Sequence, residues 1–451
     1  MSALSRIDFF VFFFILSLTF AVTLIGRKGK HQEDVLEHFL MGRQLSLPLF
    51  VATLVATWYG GIFGVTEVVF RYGIYGFFTQ GVFWYLAYLT FALLLAERVR
   101  TSEALSLPDF VENRYGKKSA RLIAVVNCFD MLPISYVMSC GFFLKTLFEV
   151  PYSLGMICGA LFVAFYAMYG GFRAIVYSDF VQFLVMIFSV LLVLVFSLKR
   201  NPISFLVQEL PIEHWQVSSN QSFSEMFVWL MLAMATLVNP GFYQRCLAAK
   251  NPVVAKKGVL ISIVIWCFFD LCTCLGGMYA RAILPDSLPN TAYLEYSLMI
   301  LPNGFRGFFL AGIFSTILST LDSNLLITAD TLKRYLCPFK NLSHRVAVFL
   351  SALCSVVMAS CFDGSILKVW KIIGSLNTGA LLFPMVMAWW KPQVLNDNDF
   401  FFLVIMGSCG VALMFVCHVF LLWNDIPILF GGLSLSFFGL LRIFLKKNSE
   451  D

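Results

Sequence analysis

The residues best suited to chemistry lie in Phe314–Asn324, where most side chains are polar although the flanking sequence is apolar. Thr316, Ser319 and Thr320 recur at three- and four-residue steps, so a helix would place them largely on one face. Hydroxyl and carbonyl oxygens are hard ligands that suit a small alkali cation. Ser and Thr are also common where membrane helices pack together. The pattern therefore leaves two interpretations open, an ion site and a helix–helix interface.

Three carboxylates also fall inside apolar segments, namely Asp322, Asp130 and Asp270. A carboxylate in a bilayer is costly, so each should face a partner or an aqueous path. Each could serve as a cation ligand, a proton carrier or a structural acceptor, and the sequence does not choose among these roles. Glu67 and Arg71 stand four residues apart, a spacing that predicts an intrahelical ion pair.

The sequence does not favour an enzyme. It contains no serine elbow, phosphate-binding glycine loop or His–Glu zinc motif. The twelve Cys are scattered through apolar segments without paired metal spacing, which predicts buried, inert thiols. The net charge of +6 requires no nucleic-acid partner, because the topology predicted below accounts for the positive residues.

Long apolar segments must position these polar residues. Hydrophobic residues make up 59% of the 451 residues and charged residues 13%, about half the charged share of a soluble domain. The sequence predicts an all-α integral membrane protein in a lipid bilayer, with about 13 transmembrane helices. These helices are predicted at 8–26, 45–70, 75–96, 120–147, 153–170, 178–198, 224–245, 256–282, 305–332, 344–362, 366–390, 399–423 and 427–445.

The positive residues predict an orientation. Most of the 32 Lys and Arg fall on one side of the bundle if the N-terminus lies outside and the C-terminus lies in the cytoplasm. We therefore expect a multi-pass protein of the plasma (inner) membrane. Residues 1–451 are predicted to form one polytopic domain, in which helix 1 and the two helices within 399–445 are peripheral.

Two of the predicted helices contain residues that disfavour a continuous helix. Helix 2 carries Trp58–Gly61, and helix 7 carries Asn239–Gly241. The two helices are five spans apart, so the five-helix units 45–198 and 224–390 would have opposite orientations. Broken helices at matching positions of inverted halves indicate a binding site at the membrane midplane. Glycine and proline are also common in membrane helices generally, which is the simpler alternative.

Several segments resemble motifs of the sodium:solute symporter family, in the expected order and over nearly the whole chain. Asp8, at the start of the first span, resembles the way in which sequences of this family start. The motifs that carry the resemblance are Phe39–Arg43, Ser106–Gly116, Tyr169–Gln182, Gln244–Lys250, and Phe383-Pro384 followed by Trp389-Trp390-Lys391.

This resemblance implies a LeuT-like core of two inverted five-helix repeats with broken first helices, and alternating access driven by a sodium gradient. The co-transported Na+ would bind near the carbonyls of Leu54, Thr57 and Thr316 and the hydroxyls of Ser319 and Thr320. Some relatives bind a second sodium ion, and that site would correspond to Asp179, Ser319, Asp322 and Ser323. Asp322 stands where those relatives have a hydroxyl, so the second ion remains an open alternative.

By position in the family, the small-molecule substrate would contact Trp58, Tyr59, Gly61, Gln80, Thr236, Ser375 and Asn377. Gln80 stands where a sugar-transporting relative has a carboxylate, and Ala235 stands near that relative's aromatic inner gate. Both differences argue against a sugar without excluding it. We expect sodium-coupled symport of a small organic solute: an amino acid, carboxylate, vitamin or sugar. The alternative is a proton-coupled transporter on the same scaffold, with an intramembrane Asp as the carrier.

Overall fold

A computed structural model describes residues 4–27, 35–168, 170–337, 342–420 and 426–448. Within these ranges the chain is helical and forms no strand; its one isolated bridge joins Leu45 to Ala249. Tyr169, the first residue of one family motif, lies outside the described residues, as does residue 423, the predicted end of the twelfth span.

The helices of the first half run from the N-terminus to the middle of the chain. They are α1 (Arg6–Arg27), α2 (Val35–Leu40), α3 (Leu47–Trp58), α4 (Ile62–Tyr72), α5 (Ile74–Phe77), α6 (Phe83–Leu94), α7 (Ala96–Thr101), α8 (Leu107–Tyr115), α9 (Lys117–Met131), α10 (Ile134–Phe148), α11 (Tyr152–Ala167), α12 (Phe172–Arg200) and α13 (Ile203–Glu209).

The helices of the second half complete the bundle. They are α14 (Phe223–Met234), α15 (Pro240–Ala248), α16 (Pro252–Ile283), α17 (Ala292–Ile300), α18 (Phe305–Thr331), α19 (His344–Ala359), α20 (Ile366–Trp390), α21 (Asp397–Phe420) and α22 (Ile428–Asn448). π-turns at Phe78–Val82 and Leu332–Leu336 continue α5 into α6 and extend α18.

The membrane spans agree with the prediction, with two differences of detail. Twelve helices of the described chain are long and apolar enough to cross a bilayer, and the remaining predicted span corresponds to the shorter α11. Helix 4, predicted as continuous over 120–147, is interrupted at Leu132 and Pro133 between α9 and α10. Pro133 has no backbone N–H to continue the helical hydrogen bonds, which explains the interruption.

Both predicted helix breaks are present. A single 3-10 turn, Tyr59–Gly61, separates α3 from α4. Between α14 and α15 the chain forms the 3-10 turn Ala235–Val238 and then an extended residue, Asn239. The Asn239 side chain accepts hydrogen bonds from the first free N–H groups of α15, at Gly241 (2.9 Å) and Phe242 (3.2 Å). This cap satisfies the backbone groups that the second break exposes.

The two broken helices run in opposite directions. Leu45, just before α3, donates to the carbonyl of Ala248 at the end of α15 (3.1 Å) and accepts from the N–H of Lys250 (3.0 Å). The start of one helix therefore lies beside the end of the other. This arrangement agrees with a LeuT-like fold, whereas the repeat boundaries 45–198 and 224–390 remain predictions.

Helix α18 occupies the centre of the bundle. Every residue in its most apolar stretch is buried, whereas only 28% of the corresponding residues of α1 and of the span that forms α22 are buried. The polar residues of α18 thus face protein on all sides and not lipid. Because lipid offers no hydrogen-bond partners, only such a central position can hold so many polar groups.

The contact of the first break with α18 leads to a stability prediction. A Cβ atom at Gly60 would lie 2.2 Å from the hydroxyl oxygen of Thr320 and 2.9 Å from the carbonyl oxygen of Thr316. We expect Gly60→Ala to lower the free energy of unfolding by about 1–3 kcal/mol, because overpacking must displace α18 or the break. Thermal unfolding of the detergent-purified protein measures this effect.

Gly439→Ala on α22 is the control, since the nearest atom to its new methyl group is the flexible end of Leu403 at 3.1 Å. Equal melting temperatures for the two variants would show that the break and α18 are not tightly packed.

Candidate ion and substrate site

The first break and α18 bring the predicted sodium ligands together. Thr320 lies against Gly60 and donates a hydrogen bond to the carbonyl of Thr316 (3.2 Å). Ser319 is fully buried, and its hydroxyl lies beside the carboxylate of Asp179 without making a hydrogen bond of normal geometry. A buried hydroxyl with such a poor hydrogen bond would be stabilised by an ion bound between the two groups. Thr316, Ser319 and Thr320 thus lie together on the part of α18 that contacts the first break.

Leu54 and Thr57 lie on the last turns of α3, one turn before the break, and both line the same cavity as Thr320. The hydroxyl of Thr57 lies 3.4 Å from that of Ser323 on α18. The two halves of the predicted site are therefore in direct contact. A small cation between them could be coordinated by α3 and α18 together.

The residues predicted for a second ion form a buried carboxylate pair beside this contact. One oxygen of Asp179, on α12, accepts hydrogen bonds from Thr53 (2.5 Å) and Thr57 (3.4 Å). One oxygen of Asp322, on α18, accepts from the hydroxyl of Tyr166 (2.8 Å). The other oxygen of each carboxylate is buried and accepts no hydrogen bond of normal geometry. These two oxygens and the Ser319 hydroxyl beside Asp179 could therefore serve as ligands of a cation.

Arg245, on α15, is a member of this site that the sequence did not reveal. Its side chain is fully buried, donates to the hydroxyls of Thr57 (2.7 Å) and Ser323 (2.9 Å), and interacts electrostatically with Asp179 and Asp322. The family motif Gln244–Lys250 drew attention to this segment but assigned Arg245 no role. The available signal was its place four residues after Asn239–Gly241, inside an apolar span.

The charges of this cluster do not cancel. With both carboxylates ionised, Asp179 and Asp322 carry two negative charges against the single positive charge of Arg245. A net charge buried in a low-dielectric interior is strongly unfavourable. One monovalent cation would balance the cluster, and the buried oxygens that lack a normal hydrogen bond could supply its ligands.

A cavity of about 210 Å³ lies beside the ion cluster, between the two broken helices. Six of the seven residues predicted to contact the substrate line it: Trp58, Tyr59, Gly61, Gln80, Thr236 and Asn377. Ser375 is buried in α20 and does not line the cavity. The cavity also borders Leu54, Thr57 and Thr320, so a bound solute would adjoin the predicted sodium ligands.

Two of the intramembrane carboxylates belong to this cavity. Asp270, on α16, accepts hydrogen bonds from the hydroxyls of Tyr59 (2.7 Å) and Tyr85. Asp130, on α9, is half-buried and accepts from the side-chain amide of Asn377 (2.9 Å). The predicted pair of Glu67 and Arg71 is present at 3.1 Å, and it lies within α4.

Comparison with known proteins agrees with this geometry. A family model described as the sodium:solute symporter family matches residues 38–337. The sodium/pantothenate symporter of Escherichia coli K12 is 24% identical over 314 residues, 66% of this chain and 65% of that protein. The sodium/proline symporter of Haemophilus influenzae is 25% identical over 344 residues, 66% of this chain and 67% of that protein. The chain thus matches about two thirds of the length of these relatives.

The solved structure of a Na+-coupled sialic acid symporter in a substrate-bound outward-open state has the same fold. It covers 97% of each chain with a TM-score of 0.76, at 13% sequence identity. At this identity the similarity establishes the LeuT-like architecture, and the chemistry of the site depends on the residues of this chain.

The buried Arg245 leads to a prediction about stability. We expect Arg245→Met to lower the free energy of unfolding by about 3–5 kcal/mol, because Asp179 and Asp322 lose their compensating charge. Arg442→Met is the control, since Arg442 is exposed on α22. Denaturant unfolding in detergent measures both variants, and similar losses would show that Arg245 does not compensate the carboxylates.

Proposed function

The chain belongs to the sodium:solute symporter family, and we propose that it couples sodium entry to uptake of a small organic solute by alternating access. The family and the matched relatives are transporters, not enzymes. The supporting observation is the cluster of buried oxygens on Ser319, Asp179 and Asp322, which make no hydrogen bond of normal geometry and adjoin a helix break. With both carboxylates ionised, the cluster would carry one net negative charge.

In this proposal the main sodium site uses the hydroxyls of Ser319 and Thr320 and the carbonyls of Leu54, Thr57 and Thr316. Thr320 already donates its proton to Thr316, so its oxygen lone pairs remain free to accept a cation. Asp179, Asp322 and Ser323 form the adjacent acidic part of the site. Arg245 contacts Ser323 and Thr57, so it limits how far a second ion could approach from that side.

The solute site is the neighbouring cavity, with Trp58, Tyr59, Gly61, Gln80, Thr236 and Asn377 on its wall. The ion and the solute would share the break of helix 2 as a common wall. Sodium bound at the break would fix its conformation and so preorganise the solute site, which is the physical basis for coupling. We place the protein in the plasma membrane with the N-terminus outside, as the positive residues predict.

The sodium site can be tested without knowing the solute, because an ion that binds the folded state raises its apparent stability. Sodium, compared with potassium at equal ionic strength, should stabilise the detergent-purified protein. We expect Ser319→Ala to raise the sodium concentration for half-maximal stabilisation about fivefold, as loss of one ligand should cost about 1 kcal/mol.

Ser408→Ala is the matched control, since Ser408 bonds only within α21, to the carbonyl of Val404. An unchanged sodium dependence in both Ser319→Ala and Thr320→Ala would remove these hydroxyls from the site. Stabilisation that is equal in sodium and potassium would contradict sodium coupling itself.

The role of Asp322 is tested by a pair of variants that separates charge from hydrogen bonding. Asp322→Asn removes the negative charge, and Tyr166→Phe removes only the hydroxyl that bonds to Asp322. We expect Asp322→Asn to weaken sodium-dependent stabilisation about tenfold or more, and Tyr166→Phe to have a clearly smaller effect. If Asp322→Asn retains the wild-type sodium dependence of stabilisation but loses proton-driven uptake of the solute into liposomes, the proton-coupled alternative is correct.

A further inference from the structure

The cavity proposed as the solute site contains two carboxyl groups whose negative charges, when both are ionised, no cation of the described residues balances. Asp270 and Asp130 both line it. Their hydrogen-bond donors, Tyr59, Tyr85 and Asn377, are neutral. Neutral donors orient a carboxylate and lower its desolvation penalty, but they leave its charge in place.

The nearby basic residues are engaged elsewhere. Arg245 borders the cavity, but it is fully buried and hydrogen-bonds to Thr57 and Ser323 while it faces the carboxylates of the ion cluster. Lys371, on α20, forms an ion pair with Glu225 and lies 5.5 Å from the ring centre of Trp229. Neither residue is available to hold an anionic group of a solute.

Aromatic rings form much of the remaining wall. Five of the nine Trp of the chain line the cavity: Trp58, Trp84, Trp229, Trp266 and Trp370. Trp58, Trp84 and Trp370 are half-buried and are among the residues that border the open space. The face of an indole ring is negative and attracts cations, most strongly when water is excluded.

Glycines on helix 2 let one of these rings reach its place. A Cβ atom at Gly61 would lie 2.6 Å from the ring of Trp370, and one at Gly64 would lie 2.5 Å from it. Larger residues at either position would push the indole out of the wall. The absence of side chains at these glycines therefore positions an aromatic face beside the helix break.

We propose that the transported solute carries a positive charge, as a quaternary ammonium or a protonated amine, and lacks a compensating carboxylate. Asp270 and Asp130 supply the negative charge, and the Trp rings supply π faces for the apolar groups around the cationic nitrogen. An anionic solute would meet two carboxylates and, among the residues that the structure describes, no free cation. This inference rests on the proposed function, since it assigns the solute class of the same transporter.

The sharpest test compares choline with dimethylbutanol, its uncharged carbon isostere, since the two have nearly the same shape. Thermal stabilisation of the purified protein is measured for each in sodium and in potassium. The panel also contains tetramethylammonium, a protonated diamine, proline, pantothenate and glucose. We expect at least one cation to stabilise the protein in sodium, and dimethylbutanol to be about tenfold weaker than choline or inactive.

Variants test whether Asp130 and Asp270 supply the negative charge that binds the cation. Asp130→Asn, at the half-buried position, should weaken cation binding about tenfold or more and leave the stabilisation by sodium alone unchanged. Asp270→Asn should act in the same direction, and Trp370→Leu tests the aromatic wall independently of charge. Asp286→Asn, at an exposed position outside the cavity, is the matched control.

The outcomes separate this inference from the proposed function. Stabilisation by pantothenate, proline or glucose, or by no member of the panel, while sodium still stabilises, would overturn the cationic solute and leave the sodium symporter intact. Loss of any sodium effect would instead refute the proposed function.

A second inference comes from a different place, the end of α18 that lies near α2 and α19. His38 Nε2 lies 3.3 Å and His344 Nδ1 lies 3.1 Å from the same oxygen of Asp330, and the three ligand atoms lie within 4.8 Å of one another. With bonds of about 2.0–2.1 Å, a tetrahedral metal site has ligand–ligand distances of about 3.3 Å. The observed spacings to Asp330 match this value.

Hydrogen bonding satisfies this cluster only in part. His38 Nε2 hydrogen-bonds with Asp330, whereas His344 Nδ1 approaches the same oxygen at 3.1 Å without the geometry of a normal hydrogen bond, and His344 Nε2 is buried without one. The second oxygen of Asp330 is also buried without a partner. Two imidazoles and one carboxylate suit a divalent transition-metal ion. We infer that His38, Asp330 and His344 bind such an ion, which would tie α2 and α19 to the end of α18.

Isothermal titration of tag-free protein with Zn²⁺ tests this site, after treatment with a chelator. We expect one Zn²⁺ per chain and a rise in melting temperature, with affinity reduced about tenfold or more in His344→Gln and in His38→Gln. His418→Gln, at the far end of the chain, is the control. An affinity for Zn²⁺ equal in wild type and in both ligand variants would overturn the site. In wild type, Co²⁺ should give the absorption spectrum of a tetrahedral ion, and an octahedral spectrum would count against this ligand set.

Discussion

A helix that breaks inside a membrane must find protein partners for its freed backbone groups, and the rest of this structure depends on how that requirement is met. The break at Tyr59–Gly61 is seated against α18, which is buried throughout its apolar length. Gly60 permits the contact, since any side chain there would collide with Thr320. Because α18 must be polar to receive the break and buried to avoid lipid, it becomes the natural location for hydroxyl and carboxylate ligands.

The second constraint is charge balance. Arg245 extends from the second broken helix to hydroxyls of the first broken helix and of α18, and it interacts with carboxylates of α12 and α18. One guanidinium therefore connects four helices that would have to move relative to one another in the proposed alternating access. A cation that enters the cluster changes the net charge of the cluster. The relative energies of helix arrangements that hold Arg245 and the carboxylates together or apart then change as well.

The sequence predicted the parts of this site that are local in the chain. Trp58–Gly61 and Asn239–Gly241 marked the breaks through glycine entropy and the missing proline donor. The spacing of the hydroxyls predicted which face of α18 would carry the proposed ligands. The role of Arg245 was missed because the predicted helix 7 ended at residue 245, where an arginine is expected at the membrane surface. In the structure α15 continues to Ala248, so Arg245 lies inside the protein. No local pattern could predict which distant carboxylates it faces.

The difference between local sequence patterns and contacts between distant residues also explains where the prediction and the structure differ in detail. Pro133 was visible in the sequence, yet hydropathy alone favoured a continuous helix over 120–147, and the structure divides it into α9 and α10. Ser375 was assigned by position to the substrate, but adjacent residues of a helix point about 100° apart, and the cavity is lined by Gly374 and Asn377 instead. The partners of Asp270 come from the break and from α6, and they stand 211 and 185 residues before it in the chain.

Tyr59 shows why the ion and the solute would be coupled through one short segment. Its backbone forms part of the break that lies against the proposed ion ligands, while its hydroxyl bonds to Asp270 (2.7 Å) and Thr273 (2.6 Å) on α16, beside the cavity. A rearrangement of the break that releases sodium must also move the donor that orients Asp270. The carboxylate would then lose the geometry in which it attracts a solute cation, so both sites would lose affinity in the same step. Linkage requires the converse as well: a solute that holds Asp270 and Tyr59 in place must strengthen sodium binding by the same factor.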